Sequence, residues 1–152
     1  MKNPSGDSKV LLAQYVAGLF DGEGCVTSTK AYVQGKYVKY PRIRLQITIA
    51  NTHIGLLQLL VKWFGGGYID KMSGERIKPC YSWRVCGKTN MSKFLNYIKE
   101  YSIIKRKQIE LGLEFCETLR DENLGNMALS KHVHKRREEI HKELRELKAN
   151  GQ

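Results

Sequence analysis

The sequence has no paired-cysteine motif, no long apolar run and few acids for its bases, and each shortage removes a class of protein. Its four cysteines, Cys25, Cys80, Cys86 and Cys116, are scattered without a CxxC pair, so neither a disulfide framework nor a structural zinc site is expected. The opening residues, MKNPSGDSKV, lack the basic-then-apolar build of a signal peptide, and a reduced intracellular setting is expected. The longest apolar stretches, at 54–64 and 43–50, fall well short of the roughly 20 residues that cross a bilayer. A soluble protein with no membrane partner is expected. Lys plus Arg number 26 against 15 Asp plus Glu, and the resulting net charge of +11 favours a polyanion, nucleic acid first and an anionic membrane surface second. The chain of 152 residues has room for one core and hardly for two, so a single domain over 1–152 is expected.

Apolar residues between Lys9 and Asp21 recur at helical spacing, and Gly22 and Gly24 punctuate the end of that helix. The period then changes. Ile43, Leu45, Ile47 and Ile49 alternate with Arg42, Arg44, Gln46 and Thr48, which reads as a half-buried strand with one basic face. Residues 25–33 read as its partner across a turn near Gly35, and Asn51 and Thr52 offer an N-cap for a helix running to Phe64. Beyond Gly65-Gly66-Gly67, two runs at 68–72 and 78–85 flank a turn at Ser73-Gly74-Glu75 and form a second hairpin. Helices follow at 89–97 and 104–118, and a charged one at 130–149. The fold class is α+β, with an antiparallel sheet in the middle of the chain.

The segment at 15–24, YVAGLFDGEG, is the most informative. Gly18 and Gly22 lie four apart on one helix face, where each costs about 1 kcal/mol relative to Ala. Small residues at this spacing let a second helix approach closely, so a partner helix is implied. Asp21 and Glu23 stand at the helix C-terminus, where the macrodipole is already negative, so a positive group is expected beside them. If two copies pack together, their carboxylates and free carbonyls converge into a set of hard oxygen donors suited to Mg²⁺. Taken alone, Gly22-Glu23-Gly24 also fits a plain C-cap turn with a solvated glutamate.

The ten residues YVAGLFDGEG closely resemble the LAGLIDADG motif of homing endonucleases, and two hairpins follow in that family's order. The resemblance spans roughly 9–118 and leaves the charged helix at 130–149 outside it. It implies an αββαββα fold with a saddle-shaped antiparallel sheet over double-stranded DNA and the motif helix at a dimer interface. One motif copy implies a homodimer, with Ala17, Gly18, Asp21 and Gly22 at its interface. The implied activity is site-specific hydrolysis of one phosphodiester on each strand of a long pseudo-palindromic target, leaving short 3′ overhangs. Glu23 corresponds to the family's catalytic acid and metal ligand, with the Gly22 carbonyl as a further ligand; many members have Asp where this chain has Glu. Mg²⁺ is the implied cofactor, with Mn²⁺ substituting and Ca²⁺ binding without cleavage. Lys105 best matches the family's basic residue near the scissile phosphate, with Lys107 second, and Asn51 matches a polar residue that orders water. Each has an ordinary reading too: a solvated helix start for the lysines and an N-cap for Asn51. The rival functions are an RNA maturase derived from the family and a non-cleaving regulator that binds DNA.

On the strand's polar face, Tyr40, Arg42, Arg44, Gln46 and Thr48 project one way and offer donors and acceptors to base edges. The same alternation adds Thr27 and Thr29 from the first strand and Asp70, Met72, Lys78, Cys80 and Ser82 from the second hairpin. Lys71, Lys78, Lys105, Lys107 and the basic run at 135–137 are expected to meet phosphates. His53 reads as a first-turn surface residue, and His132, His134 and His141 as surface residues of the last helix.

Overall fold

The computed structural model of the chain describes residues 6–32, 40–74, 77–119 and 130–151. Nine elements follow one another: α1 (Gly6–Glu23), β1 (Gly24–Ala31), β2 (Arg42–Asn51), α2 (Ile54–Phe64), β3 (Tyr68–Lys71), β4 (Tyr81–Val85), α3 (Lys88–Ile98), α4 (Arg106–Thr118) and α5 (Lys131–Ala149). The turn expected at Gly35 and the Glu75 end of the second turn lie outside the described residues.

The four strands form one antiparallel sheet in the order β1-β2-β4-β3. Alternation sorts the strand residues as expected. Val26, Ile43, Leu45, Ile47, Ile49, Trp83 and Val85 are buried on one face, which the helices cover. Arg42, Arg44, Gln46 and Thr48 occupy the other, and the helices leave that face open. The core beneath the sheet joins Val16 and Phe20 of α1, Leu57 and Leu60 of α2, Phe94 and Leu95 of α3, and Ile109 and Phe115 of α4. Phe64 and Phe94 each meet Trp83, with ring centroids 5.9 and 5.2 Å away, which ties α2 and α3 to the middle of the sheet. Among the described residues no helix is long and apolar enough to cross a membrane.

Two local details shape the functional end of the sheet. The first corrects the expected cap of α2: His53, not Asn51 or Thr52, occupies the cap position, and its Nδ1 accepts the Leu56 amide at 3.1 Å. Asn51 sits two residues earlier, where its Oδ1 accepts the His53 amide at 2.8 Å and orders the turn leading into the helix. At the far end of α2, Gly65 takes a left-handed φ of 68° and returns its amide to the Val61 carbonyl. The second detail is the junction of α1 with β1. The helix ends at Glu23 and the strand begins at Gly24 with no intervening loop. A Cβ on Gly24 would collide with the ring and carbonyl of Phe20, so only glycine fits this corner.

Candidate nucleic-acid interface and cleavage end

α1 carries apolar residues on two sides. Ala13, Val16, Ala17 and Phe20 face the chain's own core and are buried. Val10, Leu11 and Tyr15 point away from it, 42%, 65% and 53% exposed. Gly18 and Gly22 share this outward side and are exposed. A Cβ built on either glycine meets nothing within 4 Å, so packing inside this chain does not require glycine there. The placement also removes two residues from the expected interface. Ala17 is 0% exposed and belongs to the core of its own subunit. Asp21 turns toward α4.

The Asp21 carboxylate accepts four hydrogen bonds from the segment that leads into α4. Ser102 Oγ donates at 2.5 Å, and the amides of Ile103, Ile104 and Lys105 donate at 2.7, 3.2 and 3.1 Å. Burial pushes this carboxyl up, but the Ser102 hydroxyl and then the three amides outweigh burial and hold it below its ordinary value. Asp21 is therefore a clamp on residues 102–105, a role that sequence reading missed.

The clamp fixes Lys105. Its Nζ donates to the Phe20 carbonyl at 3.1 Å and to the Gly24 carbonyl, and lies 5.8 Å from the centre of the Phe20 ring. The positive group that the helix end demanded thus comes from residue 105 of the same chain, where it meets carbonyls left without helical partners. Lys107, two residues on, is exposed on the first turn of α4. The Glu23 carboxylate is exposed and makes no hydrogen bond or ion pair among the described residues.

One carboxylate and the carbonyls of a helix end are hard oxygen donors of the kind Mg²⁺ or Ca²⁺ prefers, so this end fits a divalent cation chemically. It does not form a complete cage. No group of three or more His, Cys, Asp or Glu side chains able to hold a metal occurs among the described residues.

On the open face of the sheet, the register sets Thr27 beside Gln46 and Thr29 beside Arg44. Arg42 and Arg44 are exposed, while Gln46 and Thr48 are half-buried. Thr27 and Thr48 use their hydroxyls within the sheet, donating to the Gln46 and Cys25 carbonyls at 3.3 and 3.5 Å. The same register continues across Thr48, Arg84 and Tyr68, so Arg84 and Tyr68 join this face although sequence reading did not name them. Their alternation with Trp83 and Ile69 was the available signal. Asp70 pairs with Arg84 at 3.4 Å. Ser82 and Cys80 share this side by alternation but are only 3% and 8% exposed, which leaves little of either to meet a base. Met72 is half-buried, and Lys78 is exposed. Lys71 is exposed with opposite parity, across from Tyr81. Tyr40 precedes β2, and its ring stacks on His134 of α5 at 4.3 Å.

α5 closes the remaining side of the core with Ile140 and Leu144. Its histidines are more engaged than expected: beside His134, His141 Nδ1 lies 2.7 Å from Ser28 Oγ. Arg136 and Arg137, expected at phosphates, serve the fold instead. Arg136 donates to Glu114 at 2.5 and 2.7 Å and also binds Glu139 and Glu143, while Arg137 binds the hydroxyl and carbonyl of Thr118.

This arrangement has a free acid at the end of an outward apolar helix, a clamped lysine behind it and a basic sheet face alongside. Comparison with known proteins gives it a class. The family model described as LAGLIDADG endonuclease matches residues 16–119. The fold is similar to those of homing endonuclease I-CvuI (TM-score 0.75, 19% identity, 93% of this chain and 85% of that one) and the archaeal intron-encoded homing endonuclease I-Vdi141I (0.77, 18%, 91% and 85%). Homing endonuclease I-TnaI is also similar (0.67, 18%, 91% and 96%). No curated protein matches the chain by sequence. The chain belongs to the LAGLIDADG endonuclease family, and its class is that of a site-specific DNA endonuclease.

Proposed function

We propose that two copies of this chain assemble through the outward faces of α1 and hydrolyse one phosphodiester on each strand of a long, pseudo-palindromic duplex, leaving short 3′ overhangs. The observation that carries this reading is the exposed Glu23 carboxylate at the end of a helix whose outward side is apolar and carries two glycines that its own subunit does not need. A helix that is apolar on both sides calls for a second burial, and a copy of itself packed there would bring the two Glu23 ends together. The homing endonucleases I-CvuI and I-Vdi141I, similar in fold, are described in complex with DNA, the former in the presence of calcium.

In this reading Glu23, with the Gly22 carbonyl, holds a divalent cation, Mg²⁺ or Mn²⁺ for cleavage and Ca²⁺ for binding alone. Such a cation would supply charge stabilisation at the phosphate and lower the pKa of a bound water. In the same reading Lys105, held behind the helix end by Asp21, stabilises charge on the scissile phosphate. Asn51, at the end of β2, orders water in this reading, and its Asx turn supports the backbone there. The open sheet face supplies base contacts through Arg42, Arg44, Gln46, Thr48, Thr27, Thr29, Arg84 and Tyr68, with Asp70 and Met72 at its far side. Lys71, Lys78 and Lys107 meet phosphates.

The test is cleavage of a randomised duplex library by wild type and Glu23→Gln, each with Mg²⁺, Ca²⁺ or EDTA. Discrete double-strand cuts by wild type in Mg²⁺ are expected. The substitution should slow cutting by about three orders of magnitude, from the loss of several kcal/mol of charge stabilisation, with binding kept. Specific binding without cleavage under every metal condition would replace the endonuclease by a DNA-binding regulator.

A further inference from the structure

The open edge of the sheet, β1, runs beside the C-terminal half of α5, and the two enclose a shallow groove of about 620 Å³. Four basic residues line it, Lys30, His141, Arg145 and Lys148, and no acidic residue does. The charges on α5 differ in how they are paired. In its first half Arg136 is held by Glu114, Glu139 and Glu143, and Glu138 by Lys30. In its second half Lys142 pairs with Glu146 at 3.9 Å. Arg145 and Lys148 are exposed and make no ion pair or hydrogen bond among the described residues.

Position adds to composition. β1 runs from the helix end into this groove: the Gly24 carbonyl accepts from Lys105 Nζ, and Val26, two residues on, lines the groove with Lys148. Burial and then Arg145 lower the His141 pKa, which favours its neutral form, and Lys30 is largely neutralised by Glu138. The groove's free positive charge therefore rests on Arg145 and Lys148, anchored by Leu144 in the core.

We propose that Arg145 and Lys148 hold backbone phosphates of duplex DNA in this groove, on the flank of the strand that Glu23 and Lys105 engage. The inference rests on the duplex-binding part of the function proposed above. Two unpaired cations beside an edge strand suit a run of phosphates, and their contacts would add affinity without sequence preference. The alternative is that both residues only complement the negative end of α5, which would leave DNA binding unchanged.

Full-length wild type, the double variant Arg145→Ala/Lys148→Ala and the control Arg136→Ala are titrated with a labelled random-sequence DNA duplex over a series of KCl concentrations. The double variant should flatten the plot of log K against log salt by about 1.8 per bound subunit, two phosphate contacts at about 0.9 each, and so by about 3.6 for a bound dimer. Its thermal unfolding and base preference should match wild type. Arg136→Ala should leave the slope unchanged. A wild-type slope in the double variant, with or without a lower Tm, overturns the proposal. If duplex binding shows the expected loss but no metal supports cleavage, the groove stands and the nuclease reading falls.

Discussion

Helices α1 and α5 are nearly equal in length, 18 and 19 residues, and the chain uses them in opposite ways. α1 offers apolar surface to the outside and keeps Asp21 inside its own subunit. α5 is richly charged, yet its first half spends that charge on its own subunit, through Glu114, Thr118, Lys30 and Tyr40. The difference teaches that composition does not tell which helix is turned outward. The apolar helix has the unmet surface, and the charged one spends Arg136, Arg137 and Glu138 inside its own subunit.

The largest expected effect comes from filling the outward side of α1. Gly18→Leu has room inside the subunit, so the variant should still fold, with a Tm lowered by the lost association, but sediment as a monomer and lose cleavage. A stable dimer would break the contrast between the helices. Next is the clamp. Asp21→Ala should lower unfolding stability by about 2 kcal/mol, the scale of a lost set of charged hydrogen bonds. It should also slow cleavage by about a hundredfold through misplacement of Lys105, while the sedimentation behaviour stays dimeric. Loss of dimerisation instead would return Asp21 to the interface.

α5 should respond in stability rather than activity. Arg136→Ala is expected to cost about 1 kcal/mol or less, because its partners are partly solvated, and to leave kcat unchanged. The smallest effect is a pH dependence at His141. The folded chain favours the neutral imidazole, so the unfolded chain takes up the proton more readily. This contribution is present above the ordinary histidine range and fades as pH falls through it. His141→Gln should flatten that part of the curve of unfolding free energy against pH. An unchanged curve would mean that burial and Arg145 do not disfavour the charged ring.

The strands were legible in the sequence because alternation is a local property: Ile43 through Ile49 announce their buried face without knowledge of any partner. The motif was legible for the same reason. What stayed hidden depends on distant pairs. Asp21 and Ser102 are 81 residues apart, and nothing near Asp21 announces the amides it binds. The anomaly at the helix end did call for a cation, and Lys105 is there, but a residue count could not tell an intrachain lysine from a partner's group. Likewise Arg136, in the run at 135–137, looked like a phosphate contact because sequence displays its charge and not the acids of α4 and α5 that neutralise it. His53 took the cap because Asn51 remained in the strand, a difference of two residues beyond the resolution of propensity.

The loopless corner between Glu23 and Gly24 makes the molecule a ruler. With no slack between the helix proposed to meet its twin and the edge strand proposed to face DNA, the crossing angle of two such helices would set the spacing of the two half-sites along the duplex. An inserted residue at that corner would shift both cutting register and base register together, so the distance between the nicks and the length of the recognised site would change as one quantity.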